Sequence, residues 1–260
     1  MLLSNLPLGL VLPALALLFA ILIEAIFLIE RRPLRRAQGI LFQFAFLILS
    51  GLVAWPLGML WSANDLQFLP PLQSWAGVWS LPILIVVIDF LDYWEHRFEH
   101  RFFWRVHKVH HSPDDLHAAN TFGHPLQVIP SKLLIGIPLS FLNAGSLPLW
   151  ATLVSAIWVF YIHSPIKLQL SKLRWLMVDN HWHRIHHSVE PEHFDKNFAI
   201  VFSIWDRMFG TAHKPRPGEW PQVGIDEPPP ANLVDYVLMP LRRAAKLPMA
   251  EITAEPSSST

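Results

Sequence analysis

Histidine clusters stand on both sides of a long uncharged stretch. HRFEH (His96, His100) and HKVHH (His107, His110, His111) precede it, and HRIHH (His183, His186, His187) follows it. The stretch itself, Leu133–Ile166, contains no Asp, Glu, Lys or Arg, and its only histidine is His163, near its end. A bilayer crossing takes about 20 apolar residues, so a single crossing here would put the clusters on opposite sides of a membrane. If they build one site, the stretch must turn back on itself. Asn143-Ala-Gly-Ser-Leu-Pro148 supplies the turn chemistry at its middle. The expected form is a helical hairpin with arms of about 12–15 residues, shorter than the ~30 Å hydrocarbon core at 1.5 Å rise per residue.

Other apolar stretches fit the same setting. The chain is 52% hydrophobic and only 15% charged, against roughly 25% for a soluble domain. Leu8–Ile29 reads as a first span and Ala37–Trp61 as a second. Leu66–Trp75, with Pro70-Pro71, reads as a loop or interfacial segment, and Ser80–Tyr93 as a third span. Met1–Ile29 is followed by Arg31-Arg32 and Arg35-Arg36, a stop-transfer pattern rather than a cleaved leader. Lys and Arg fall at 31–36, 97–108, 132 and from 167 onward, and none lies in 62–79 or 143–148. The positive-inside rule then places the histidine clusters on the cytosolic face and the N-terminus outside. Trp55, Trp61, Trp75 and Trp79 gather toward the outer boundary and Trp94 and Trp104 toward the inner one. That is an aromatic belt, or simply the filling of a large core. The basic residues flank the spans and form no surface stripe, so nucleic acid is not an expected partner.

The expected fold is an all-α integral membrane protein with about four transmembrane helices or hairpin arms. A cytosolic helical cap carries a histidine-rich dinuclear metal site. Three parts follow: N-terminal spans over 1–80, a catalytic region over 81–212, and a proline-rich tail over 213–260. In the tail, Asn232–Leu247 can form a basic amphipathic helix, kinked at Pro240, suited to an anionic membrane surface.

Residues three and four apart share a helix face, so each cluster aims its imidazoles at one point. Eight clustered histidines and His163 exceed one tetrahedral zinc site, which takes four ligands, and suit two ions. Imidazole favours iron, zinc, copper or nickel over calcium and magnesium. With no cysteine, thiolate sites and cysteine-ligated iron–sulfur clusters are excluded, so electrons for a redox metal must come from another protein or cofactor. Metal-bound imidazoles usually donate their second N–H to a carboxylate or carbonyl. Asp89 and Asp92 are candidates for that role at the first box, or else a solvated cap where the span leaves the bilayer. Asp179 and Asp195 are candidates at the last box. His181 and His124 are possible tenth ligands. His117, His193 and His213 read as structural.

The order HxxxH, HxxHH, lone His, HxxHH resembles the fatty acid hydroxylase/sterol desaturase superfamily of membrane non-haem diiron enzymes. The likeness extends over about Leu81–Ala212, through Asp89-Phe-Leu-Asp-Tyr-Trp-Glu-His96-Arg97, Trp104-Arg-Val-His107-Lys-Val-His110-His111-Ser112, Tyr161-Ile-His163-Ser164, His183-Arg-Ile-His186-His187-Ser188, Asp195-Lys-Asn197-Phe and Trp205-Asp206-Arg-Met-Phe209-Gly210-Thr211. Two positions depart. Ala199 stands where the family often has Gly, and Lys167 where some fatty acid 2-hydroxylases have another histidine. His124-Pro125 matches a family position that reads as structural. The resemblance implies His96, His100, His107, His110, His111, His163, His183, His186 and His187 as ligands of two iron ions, for which zinc can substitute in purified protein. It also implies O2 as co-substrate, a separate electron donor of ferredoxin, flavoprotein or cytochrome type, and hydroxylation or desaturation of a fatty acyl, sterol or isoprenoid lipid. Two other classes remain: a membrane metal transporter or store, and a zinc hydrolase. A transporter calls for ionisable residues lining a path at the membrane midplane, whereas the uncharged stretches hold no histidine or carboxylate ladder apart from Glu24 and the candidate ligands sit at one face. A zinc hydrolase calls for three ligands and a carboxylate base.

The charge distribution makes a direct prediction. Single cysteines placed at 65, 146 and 213 in this cysteine-free chain should report sidedness in sealed cells. Positions 65 and 146 should react with an impermeant thiol reagent added outside, and position 213 only after permeabilisation. Labelling of 213 but not 65 from outside would overturn the orientation.

Overall fold

The structure is a computed structural model that describes residues 8–27, 33–62, 69–144, 147–166 and 168–242. It is all-helical among the described residues, with one isolated bridge between Ser188 and Val223. Two long helices come first, α1 (Leu8–Phe27) and α2 (Pro33–Ser62). A short α3 (Leu72–Ala76) leads into α4 (Ser80–Phe102). Beyond a break at Phe103 follows α5 (Trp104–His111). The uncharged stretch then forms two arms. The first runs through α6 (Val128–Ser131), a π turn (Lys132–Gly136) and α7 (Ile137–Ser140), and the second is α8 (Leu147–Ile162). Pro138 has no N–H for the usual bond four residues back, and the helix widens just before it. The remaining helices are short: α9 (Asn180–His186), α10 (Ile204–Met208) and α11 (Leu233–Leu238).

Hydrogen bonds fix how the hairpin runs. At the turn, the Asn143 carbonyl accepts from Leu72 N–H at 2.8 Å, beside the start of α4. At the other end, Ser131 Oγ donates to Glu95 at 2.8 Å, and His163 Nε2 lies 3.3 Å from His110 Nε2. Both arms therefore span the length of α4 and return the chain to its C-terminal end. This turn-back is what allows His163 to meet the boxes.

Two segments, Arg35–Gly58 and Leu72–Phe102, are long and apolar enough to cross a membrane, and Ala14–Ile26 and Leu147–Ile162 are shorter apolar helices. Their outward faces carry exposed large side chains at helical spacing: Leu15, Leu18, Phe19, Leu22 and Ile26 on α1, and Leu41, Phe44, Ile48, Leu52 and Trp55 on α2. In water such stripes would be costly, and an apolar surrounding removes that cost. Glu24, the only acid of α1, is buried. Its carboxylate accepts from Ala118 N–H at 2.8 Å and pairs with Arg36 at 3.3 Å. α1 is thereby tied to the segment after α5, and it packs on α8 through Ala16, Leu17 and Phe160.

The main core lies beneath the boxes. Tyr93, Ile162, Val178, Trp182, Phe198 and Ala199 pack together there, joining α4, α8 and α9. Two buried carboxylates organise the loop that contributes Phe198 and Ala199. Asp89 accepts from Val201 N–H (2.7 Å), Phe202 N–H (2.9 Å) and Trp205 Nε1–H (2.8 Å). Asp206 accepts from Phe198 N–H (2.8 Å), Ala199 N–H (3.1 Å), Trp182 Nε1–H (3.1 Å) and Thr211 Oγ1–H (2.7 Å).

The tail differs from a helix lying free on a membrane surface. Its described helix ends at Leu238, where Met239–Leu241 tightens into a 3-10 turn around Pro240. Tyr236 and Met239 enter a core with Phe42, Val109 and Phe122, and Tyr236 Oη donates to the Gly123 carbonyl at 2.6 Å. The buried Lys108 donates to both oxygens of Glu227 at 2.8 Å. Val234, Val237 and Leu238 remain exposed, and residues 243–247 of the expected helix lie outside the described residues.

Asp206 gives the clearest test of this framework. In Asp206→Asn the amide nitrogen replaces an oxygen that two donors need, and each buried unsatisfied donor costs about 1–3 kcal/mol. The variant should lose about 2–4 kcal/mol of stability in detergent denaturation. An unchanged midpoint would mean that the loop is held some other way.

Candidate metal centre

Each box reaches the centre by a local feature of the chain. His96 and His100 sit one turn apart near the end of α4. The backbone breaks at Phe103 (φ −123°, ψ 17°), and α5 starts in a new direction, so His107 and His111 face back toward them. α9 is capped by Asp179, whose carboxylate accepts from Trp182 N–H at 2.9 Å and pairs with Arg174 at 2.6 Å. His163 follows α8 directly, with Nδ1 2.8 Å from the Val159 carbonyl.

The nine histidines meet in two groups. His96, His100, His107, His111 and His186 form one, and His110, His163, His183 and His187 the other; within each group the ligand atoms lie within 4.8 Å of one another. The boxes do not each converge on a single point. His107 and His111, four apart, share one group, while His110 points to the other; His183 and His187 share the second group, while His186 points to the first. On a helix, i and i+4 are about 40° apart around the axis and adjacent residues about 100° apart, so each HxxHH box serves both groups. The boundary is the His111–His187 pair, stacked with ring centroids 4.3 Å apart.

The geometry within each group fits a bound ion. His111 Nε2 lies 3.1 Å from His107 Nε2 and 3.2 Å from His100 Nε2. His183 Nε2 lies 3.1 Å from His187 Nε2 and 3.2 Å from His163 Nε2. Two nitrogens each ~2.1 Å from a common ion, at tetrahedral to octahedral angles, stand about 3.0–3.4 Å apart. The buried Nε2 atoms of His96 and His186 have no hydrogen-bond partner. Burial, and after it the neighbouring imidazoles, holds His107, His111, His183, His186 and His187 well below the ordinary histidine range. Burial brings His110 down to about 4. These rings are neutral at pH 7 and offer lone pairs.

Six of the nine Nδ1 atoms meet a partner outside the groups, mostly backbone, while those of His183 and His187 are buried without one. His96 Nδ1 donates to the Phe198 carbonyl (2.8 Å) and His186 Nδ1 to that of Lys196 (2.8 Å); His110 Nδ1 lies 3.3 Å from that of Phe122. Carboxylates serve two others. His107 Nδ1 is 2.5 Å from Glu99 and His100 Nδ1 is 3.3 Å from Asp195. Asp195 reaches His100 from a left-handed backbone (φ 55°), which Asp tolerates better than most residues.

Of the carboxylates expected beside the histidines, only Asp195 contacts one of the nine. Asp89 holds the 201–205 backbone, Asp179 caps α9, and among the described residues Asp92 makes no hydrogen bond to a histidine. Glu99 has the role instead. It stands inside HRFEH, one residue before His100, and α-helical geometry alone does not show that it reaches across to α5. Gln127 donates to the same Glu99 oxygen at 3.0 Å. His181 and His124 lie outside both groups. His181 is beside the Trp220 ring, and His124 caps a turn, accepting from Leu126 N–H and bonding the Val237 carbonyl at 3.1 Å.

An all-helical scaffold that delivers nine neutral imidazoles into two adjoining groups defines a polyhistidine protein able to bind metal. Comparison with known sequences then gives the family. The fatty acid hydroxylase model matches residues 81–211, half of the chain, and the chain belongs to that family. Alkylglycerol monooxygenase of Danio rerio is 30% identical over 139 residues, 53% of this chain and 31% of that protein. The Homo sapiens protein of the same name is 28% identical over 139 residues, covering the same shares. A Dictyostelium discoideum protein named for methylsterol monooxygenase activity is 30% identical over 160 residues, 55% of this chain and 56% of that protein. The chain thus spans about a third of the alkylglycerol monooxygenases and about half of the third relative. No solved structure matches.

Glu99→Gln keeps an oxygen to accept from His107 but replaces the carboxyl that faces the ring. Outer-shell changes of this kind typically cost about 10–100-fold in metal affinity or activity. Metal affinity of the His107 group should fall by about that factor, measured by competition with a chromophoric chelator. Equal affinity in the two proteins would show that Glu99 does not tune the ring.

Proposed function

We propose that the chain is an O2-dependent diiron monooxygenase that hydroxylates a C–H bond of a membrane lipid. The observation that carries this reading is the partition of nine neutral imidazoles, seven buried and two half-buried, into two adjoining groups of five and four. His96, His100, His107, His111 and His186 would hold one iron, and His110, His163, His183 and His187 the other. When bound, two ferrous ions supply the chemistry that a side chain cannot, activation of O2 for insertion into an unactivated C–H bond. The electrons would come from a separate ferredoxin-, flavoprotein- or cytochrome-type donor.

The chain's own residues then bind, orient and shield. Backbone carbonyls at Phe198 and Lys196 and the carboxylates of Glu99 and Asp195 hold Nδ1 protons outward and turn Nε2 inward. Phe198 packs its ring 4.9 Å from His100 and 5.6 Å from His96 and His186, and Trp104 lies 5.2 Å from His100. These aromatics exclude water from one side of the cluster. Among the described residues, the two carboxylates that touch the groups, Glu99 and Asp195, are each engaged by a histidine rather than free to act as the base of a zinc hydrolase, which favours oxidation over hydrolysis. We read α1, α2, α4 and the hairpin as membrane-embedded, with the cluster at the cytosolic boundary. A lipid chain entering from the bilayer is the fitting substrate. The names of the relatives make alkylglycerols and methylsterols the first lipids to try.

The test supplies purified, iron-loaded protein with a reductant chain, 18O2 and a deuterated alkylglycerol or methylsterol, and reads products by mass spectrometry. One 18O atom should enter the lipid, and His186→Ala, which removes a ligand donor from the centre of HRIHH, should abolish it. Product oxygen drawn only from water, or undiminished turnover in His186→Ala, would rule out the proposal.

A further inference from the structure

A second constellation of donors lies outside the two groups of the nine histidines. Three loop segments meet there. His193 ends the 3-10 turn Pro191–His193, His213 follows α10, and Glu219 follows the turn at Gly218 (φ 78°). Their ligand atoms lie within 4.8 Å of one another. We propose that His193, His213 and Glu219 form a separate site for a zinc-class divalent cation, which ties these three loops together beside the HRIHH box.

Each donor is aimed by a contact on its far side. His193 is fully buried, and its Nδ1 is engaged by Ser188 Oγ at 2.8 Å, leaving Nε2 to face the other two residues. The His213 backbone is clamped by Asn197, whose Oδ1 accepts its N–H at 2.7 Å and whose Nδ2 donates to its carbonyl at 2.9 Å. One Glu219 oxygen, Oε2, accepts from Arg216 N–H at 2.6 Å and closes the turn. The other, Oε1, stands 3.4 Å from His193 Nε2 and 3.8 Å from His213 Nε2. Both Nε2 atoms are buried without a hydrogen-bond partner. An imidazolium–carboxylate pair would close that gap to a hydrogen bond near 2.7–2.9 Å. Instead the 3.4 Å pair stands at the spacing of two ligands ~2.1 Å from a tetrahedral ion, about 3.4 Å, and the 3.8 Å pair lies a few tenths of an ångström outside it. Two imidazoles and one carboxylate make a donor set of zinc type. A water molecule can complete it.

The site has a structural consequence. Ser188 directly follows His187. The loop from Ser188 to Asn197 carries Asp195, which faces His100, and the Lys196 carbonyl, which holds His186. A cation at His193 anchors that loop without entering the nine-histidine groups.

The test uses the full chain in detergent, loaded with Zn2+ or Co2+ and desalted, with metal content read by mass spectrometry. Three proteins are compared: wild type, Glu219→Gln and His213→Ala. Glu219→Gln retains an oxygen for the Arg216 cap, so it stays informative if His213→Ala folds poorly. The wild type should hold one metal equivalent more than either variant, and added Zn2+ should raise its melting temperature by more. A box variant, His111→Ala with His187→Ala, should keep that equivalent and its Co2+ absorption in the visible, so the site is scored even if the diiron reading fails. Equal metal content in wild type and Glu219→Gln, with equal response to Zn2+, would overturn the proposal and leave His193 and Glu219 as an ion pair.

Discussion

Everything at the centre of this molecule depends on where each imidazole sends its two nitrogens. A neutral ring has one N–H and one lone pair, and for six of the nine rings the protein decides their directions by placing an acceptor outside. Phe198, Lys196, Val159 and Phe122 offer carbonyls, and Glu99 and Asp195 offer carboxylates. Once Nδ1 is held outward, Nε2 has nowhere to point but into the cluster. Nitrogen lone pairs brought to 3.1–3.3 Å of one another gain nothing from that proximity alone. The arrangement makes sense as a cage for cations, at some expense in apoprotein stability.

The acceptors are themselves placed by buried carboxylates one step further out. Asp206 gathers four donors and Asp89 three, and both act on the 198–205 segment, which supplies the carbonyl for His96 and the ring against His100. Two charges inside an apolar core would be costly alone. Here every oxygen accepts at least one N–H or O–H, and removing one partner would leave the rest exposed to that cost. Asp179 repeats the device at α9, joining a helix cap to the Arg174 pair. The boxes are thus the visible part of a layered arrangement in which carboxylates fix loops and loops fix rings.

Much of this was legible in the sequence. Eight of the histidines came from spacing and His163, which stands alone, from the family resemblance; the hairpin came from the need to bring His163 and HRIHH back to the first boxes, and the all-helical character from four apolar stretches. What the sequence did not show was long-range pairing. Glu99 and Asp89 are both acids on α4, and nothing local tells that one faces a histidine on α5 while the other faces a backbone more than a hundred residues away. The split of each HxxHH box is implicit in helical geometry, but only the meeting of α5 and α9 shows that both faces have partners. His193 and His213 look isolated in sequence because their partner, Glu219, arrives from a third loop. Tyr236 and Met239 pack inward because Phe42 and Phe122 leave a place for them, which amphipathic periodicity cannot register.

Box motifs are therefore a necessary but incomplete description of the site. Ring identity and spacing choose which residues can reach an ion, and that much follows from 3.6 residues per turn. Ring orientation follows from acceptors in irregular segments: a carbonyl at Lys196 between two left-handed residues, Asp195 and Asn197, or one at Phe198 held by Asp206. Asp and Asn tolerate that backbone because their short polar side chains bond locally or across the loop, and here both do so, Asp195 to His100 and Asn197 to Trp182 and His213. The same short segment thus turns two imidazoles of the nine, pairs with a third, and clamps the loop that holds His213. A substitution there would alter two sites at once, which makes the segment from Asp195 to Phe198, rather than any single box, the place where the fold and the metal centre are most tightly joined.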